Sequence, residues 1–145
     1  MANEPDSNHH YLIGKIADYT QAFDRCKQIV EHRSYPEDMV IQRLKKFPKS
    51  DIERFLMSKS VLARHACEKP EITDLAYAIL VLENESLQRQ TRDAIAAIKV
   101  LAFSADDLRF QQVYRSTPKA IRLELEGLGY FDRPFDDRLL LDLIR

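Results

Sequence analysis

The stretch LIGKIADYTQAFDRCKQIV, residues 12–30, decides the fold class. Within it Leu12, Ile16, Tyr19, Phe23, Cys26 and Val30 follow one another at intervals of four and three. An α-helix turns once in about 3.6 residues, so this alternation draws a single apolar stripe along one side of a helix. The stripe predicts a helix from Asn8 to Arg33 whose seam packs nearly parallel to a neighbour. Cys26 lies in the stripe and reads as a small core residue.

Further helices follow on either side of proline and serine punctuation. Pro36 suits a first helical turn, with Met39, Val40, Leu44 and Phe47 on the apolar side and Pro48 as a stop. Ser50-Asp51-Ile52-Glu53 has the capping-box form, and the helix it opens carries Ile52, Phe55, Leu56, Leu62, Ala63 and Ala66 before ending at Pro70. Residues 75–82 are an unbroken apolar run, LAYAILVL, which predicts a helix buried on nearly all sides. After a break or bend at 84–86, Leu87, Ala94, Ile95, Ile98, Leu101 and Ala102 continue the helical period to about Phe103. Ser104 suits the cap of a helix holding Leu108 and Val113. Thr117-Pro118 starts another, which Gly127 or Gly129 stops. Residues 135–145 fit a last helix or a strand.

Composition narrows the class further. The chain has 145 residues, enough for one domain with a real core. Three glycines are too few for a Rossmann fingerprint or a P-loop, and neither Asn-Gly nor Asp-Gly occurs to turn a tight hairpin. The fold predicted is all-α, a compact bundle of six to eight helices in one domain over 1–145. Its sub-structure would be a helical bundle over 1–85 and a helix-turn-helix-like part over 86–145. No apolar run is long enough to span a membrane, and the first residues lack signal-peptide order. Two cysteines are too few for a disulfide framework, which predicts a reduced, cytoplasmic protein.

The net charge of −1 hides an uneven layout. Residues 39–69 carry eight basic and three acidic groups, whereas residues 1–38 carry four basic and seven acidic. Arg43, Lys45, Lys46, Lys49, Arg54, Lys59 and Arg64 therefore form the first candidate surface, suited to phosphates or to an acidic protein patch. The ordinary alternative is a solvated face that balances acids elsewhere in the fold. Phe47 and Phe55 sit at core spacing, so base stacking is not indicated.

The C-terminal third resembles a winged helix-turn-helix module. The residues that carry the resemblance are Ser116 and Thr117 at a helix start, Ile121 and Leu125 eight and four positions before Gly129, and the apolar pair Tyr130-Phe131 after it. The resemblance implies strands at 130–131 and 139–141 paired as a wing. It also implies a recognition helix whose Arg115, Ser116, Thr117, Lys119 and Arg122 meet DNA. Glu124 and Glu126 on the same helix, and the acids of 132–138, oppose that use.

Arg25 and His32, with six residues between them, resemble the Arg-x(4–6)-His motif of the HEPN ribonucleases, which implies phosphate binding by the Arg and proton transfer by the His. Cys26 stands where that family has a polar residue, and the motif falls earlier in the chain than in the family. His9-His10 form a terminal pair, and His65 with Glu68 lacks a second pair, so neither metal nor other cofactor is expected. No Gly-x-Ser-x-Gly and no Cys–His context assembles a nucleophile. The expectation is a non-enzymatic regulator or adaptor with a protein partner, self-association included. DNA binding is the alternative and ribonuclease action a distant third.

Overall fold

The apolar stripe of residues 12–30 lies on α1, Glu4–Glu31. It opens a computed structural model that describes residues 4–145 as seven α-helices and one 3-10 turn, with no strand among those residues. After α1 come α2 (Asp38–Lys45), α3 (Lys49–Leu82), α4 (Arg89–Ala102), α5 (Asp106–Ser116), α6 (Lys119–Glu126), the 3-10 turn Tyr130–Asp132 and α7 (Asp137–Leu143). The protein is all-α.

Several boundaries differ from the sequence expectation for identifiable reasons. On α1 the inward position between Tyr19 and Cys26 belongs to Ala22, which is fully buried, while Phe23 is 41% exposed. Intervals of three and four permit either residue, so spacing does not distinguish them. Pro36 precedes α2 rather than entering it, and Glu37 is the N-cap. At the start of α3 the Pro48 carbonyl accepts from the N–H groups of Asp51 and Ile52, so the helix begins ahead of Ser50. Nor does α3 end at Pro70, which lies inside it. An interior proline removes one helical bond, at a cost of about 3 kcal/mol. Here Pro70 and Ala66, whose carbonyl loses its donor, are both on the exposed side, so the freed carbonyl is not sealed in the core. Ala63, Ile72 and Leu75 bury the opposite side before and after it.

The apolar run 75–82 is buried on one face only. Leu75, Ala78, Ile79 and Leu82 are inward, while Tyr77 and Leu80 are each 66% exposed and Val81 is 44% exposed.

The expected wing is absent from 130–141. Gly129 takes a left-handed conformation (φ 73°) and turns the chain into the 3-10 segment that contains Tyr130 and Phe131. The Asp136 carboxylate then caps α7 by accepting from the Leu139 N–H at 3.1 Å, which commits 139–141 to a helix.

The chain forms two compact units. One comprises Met1–Arg25 and Glu68–Ser104. Its core is Leu12 of α1, Leu75, Ile79 and Leu82 of α3, and Ile95, Ile98 and Ala102 of α4, with Ile16, Tyr19, Leu87 and Ala94 around them. Thr91, fully buried, has its hydroxyl 3.1 Å from Nδ1 of His9, so His9 belongs to this packing instead of trailing as a loose terminal pair with His10.

The other unit comprises Cys26–Cys67 and Ala105–Arg145. Its core gathers Val40 and Leu44 of α2, Ile52, Phe55, Leu56 and Ala63 of α3, Ile121 and Leu125 of α6, Phe131, Phe135 and Leu140. Phe131 stands edge-on to both Phe55 and Phe135, with ring centroids 5.2 and 5.1 Å apart, the arrangement favoured by opposed ring edges and faces. Cys26 and Cys67 are joined by a disulfide across a separation of 41 residues. The bond links the first and last residues of this unit's N-terminal segment and closes that segment into a covalent loop. Cys26 is fully buried, as its place in the stripe predicts, but the bond corrects the expectation that the two cysteines stay reduced.

Candidate functional site

The seven nominated cations of α2 and α3 divide into two groups. Three are paired with two acids of α6. Arg43 and Lys46 both donate to one oxygen of Glu124, at 2.6 and 3.1 Å, and Lys59 lies 3.6 Å from Glu126. The hydrogen bonds from Arg43 and then Lys46 hold the Glu124 carboxyl below the usual carboxylate range. Lys59 also lies 5.4 Å over the Tyr114 ring, and its side chain is only 17% exposed.

Lys45, Lys49, Arg54 and Arg64 are exposed, and their side chains have no hydrogen-bond or ion-pair partner among the described residues. On α3 the helical period brings Lys49, Arg54 and Arg64 to the water-facing side, with Met57, 47% exposed, between them. Glu53 is the acid on that side. The surface is smaller than the sequence suggested, because two acids of α6 engage three of the seven cations.

The nominated DNA contacts are dispersed. Thr117 is 2% exposed and its hydroxyl donates to the Val113 carbonyl at 3.3 Å. Ser116 donates to that same carbonyl at 2.6 Å. Arg122 donates from Nε to the Thr117 carbonyl at 3.1 Å and lies 5.6 Å over the Tyr114 ring. These three side chains are engaged in shaping the α5–α6 turn. Arg115 and Lys119 are exposed on either side of it.

Arg25 and His32 are not brought together as a catalytic pair. Arg25 donates to Glu71 Oε1 at 3.1 Å, and this bond is the main cause that lowers the Glu71 pKa. The other carboxylate oxygen of Glu71 is buried without a hydrogen-bond partner among the described residues. His32 is exposed beyond the end of α1. His65 pairs through Nδ1 with Asp107 at 3.3 Å, while Glu68 is buried at 5% exposure. Among the described residues no three His, Cys, Asp or Glu side chains converge as a metal site.

Two features carry no signal in the sequence. Arg33 is enclosed by the 130–134 segment, donating to the carbonyls of Tyr130, Arg133 and Pro134. Burial is the largest cause that lowers its pKa. No spacing marks such a residue, because its partners are backbone carbonyls about a hundred positions away. The second is a hollow of about 530 Å³ at the α3–α4 corner, lined by Glu83, Leu87, Arg92, Ile95, Ala96 and Lys99 among others. Lys99 and Glu83 close a 2.8 Å ion pair at its edge. No helix is long and apolar enough to cross a membrane among the described residues. Comparison of the chain with protein-family models, with curated proteins and with solved structures finds no match.

Proposed function

We propose that the chain is a non-enzymatic adaptor or regulator that binds an acidic protein surface through Lys45, Lys49, Arg54 and Arg64. The observation that carries this reading is the division of the basic segment. Arg43, Lys46 and Lys59 have intramolecular acids, whereas these four cations are held on a folded helical surface without any among the described residues. An exposed Met57 beside them adds adaptable apolar contact of the kind found at protein interfaces. Cations kept in water without partners add little to stability, so their concentration is better suited to meeting charge from outside.

Fluorescence anisotropy with an acidic polypeptide and with random-sequence duplex DNA, each at two salt concentrations, tests the reading. The expected result is salt-sensitive binding of the acidic polypeptide that is lost when Lys49, Arg54 and Arg64 are replaced by Glu. Replacing Lys46, which is already paired with Glu124, should matter less. Unchanged binding by the triple variant would overturn the assignment. Tighter binding of duplex, abolished by Arg115→Glu and Lys119→Glu, would favour DNA recognition by the α5–α6 pair instead. The low cysteine count suggested a cytoplasmic setting; the Cys26–Cys67 bond supports one in which thiols stay oxidised. Alkylation of thiols at the moment of lysis, followed by mass measurement, separates the two.

A further inference from the structure

We infer that the exposed face of α3 between Pro70 and Leu80 is a self-association surface that pairs antiparallel with the same face of a second copy. Pro70, Thr73, Tyr77 and Leu80 recur at intervals of three and four, share one side of the helix, and are all exposed. None is charged, in a chain whose charged content is 31%. The side chains along this face run small, small, large, large. A two-fold axis crossing the helix at Leu75 places Thr73 opposite the second copy's Tyr77, and Pro70 opposite its Leu80. Each large side chain then meets a small one. An isologous interface requires this kind of self-complementarity, and a parallel pairing would instead set Tyr77 against Tyr77.

The extent of the face sets the expected strength. It spans ten residues, about 15 Å of helix. With Tyr77 and Leu80 each 66% exposed, the face offers on the order of 400–500 Å² per copy, and a pair would bury at most about 800–1,000 Å², the size of a weak, transient interface. Val81 and Tyr11, 44% and 48% exposed, line one hollow beside it and extend the apolar area. Asp74, also exposed, lies four residues after Pro70 and three before Tyr77 on the same side of the helix, so an axis at Leu75 brings the two copies' Asp74 carboxylates toward each other. The association is therefore weak and concentration-dependent. It uses a surface different from the cations of Lys45 to Arg64 and does not rest on the proposal made for them.

Sedimentation velocity on the full chain, from low to high micromolar concentration, should show a monomer–dimer equilibrium. Leu80→Glu should weaken that equilibrium at least about tenfold with the far-UV circular dichroism unchanged. To read the register, a chain carrying Thr73→Cys is mixed with one carrying Tyr77→Cys under oxidised glutathione. The native cysteines are bonded to each other and do not compete. The mixed 73–77 disulfide should form in preference to either same-site product. A monomer at every concentration would overturn the proposal. So would dominant 73–73 and 77–77 products, which signify a parallel pairing.

Discussion

The guanidinium of Arg33 lies 3.8 Å from the centre of the Tyr130 ring while it donates to the Tyr130 carbonyl, so one residue receives it both by its ring and by its backbone. Two more carbonyls, of Arg133 and Pro134, accept from the same group at 2.9 and 3.0 Å. A planar fork of donors can satisfy several carbonyls and still stack on a ring, which an ammonium cannot do. Arg33→Lys should therefore destabilise the protein by about 2 kcal/mol, the scale of lost hydrogen bonds to a charged group. Urea unfolding checks this. A midpoint equal to that of the parent would show that the enclosure contributes nothing.

The Cys26–Cys67 bond acts on the unfolded chain as well as the folded one. Closing a loop across 41 residues restricts the denatured ensemble by about 4 kcal/mol on the loop-entropy estimate. The double variant Cys26→Ala, Cys67→Ala should lose a large part of that in urea unfolding. Reduced parent protein should move to the same midpoint as the variant. If dithiothreitol leaves the parent's midpoint unmoved, the bond is not a stabilising element.

Helix positions are legible in the sequence because burial repeats with the helical period. The core residues Leu12, Leu44, Phe55, Ile95, Ile121 and Leu125 all fall on stripes that residue spacing alone displays. Phe23 and the 75–82 run show the limit of that signal. Spacing cannot choose between Ala22 and Phe23, and a solid apolar run does not say which half faces water. The candidate surface is legible as a set of cations and not as a surface. Whether Arg43 is free depends on Glu124, 81 positions away. The disulfide and the Arg33 enclosure join distant positions in the same way, and no local pattern encodes either.

The Glu124 ion pairs carry a definite pH signature. Bonds from Arg43 and Lys46 depress its pKa in the folded protein. A carboxylate so depressed adds stability at pH values above its unfolded pKa, near 4.3, and loses it as the pH falls through the folded value. Glu124→Gln should therefore be less stable than the parent at neutral pH, with the gap closing as the pH drops below the ordinary glutamate range. Glu71→Gln should follow the same course, because Arg25 depresses Glu71 likewise. Chemical unfolding across pH 2–7 provides the measurement. A gap that stays constant into strong acid would show that the effect of the substitution lies in packing.

Two glycines should respond to the same substitution with opposite signs. A Cβ added at Gly14 or at Gly129 meets nothing within 4 Å, so contact does not distinguish them. Gly14 lies within α1, where alanine is the better helix former and limits the freedom of the unfolded chain. Gly14→Ala should stabilise the protein by about 0.4–1 kcal/mol. Gly129 has φ 73°, where a Cβ crowds the following carbonyl. Gly129→Ala should cost about 1–2 kcal/mol, and more if the 3-10 turn beyond it carries the aromatic contacts of Phe131 away. Thermal unfolding of both variants beside the parent provides the test. A Gly129→Ala midpoint at or above that of the parent would mean that the left-handed turn is not what directs Tyr130 and Phe131 out of α6 and into the core.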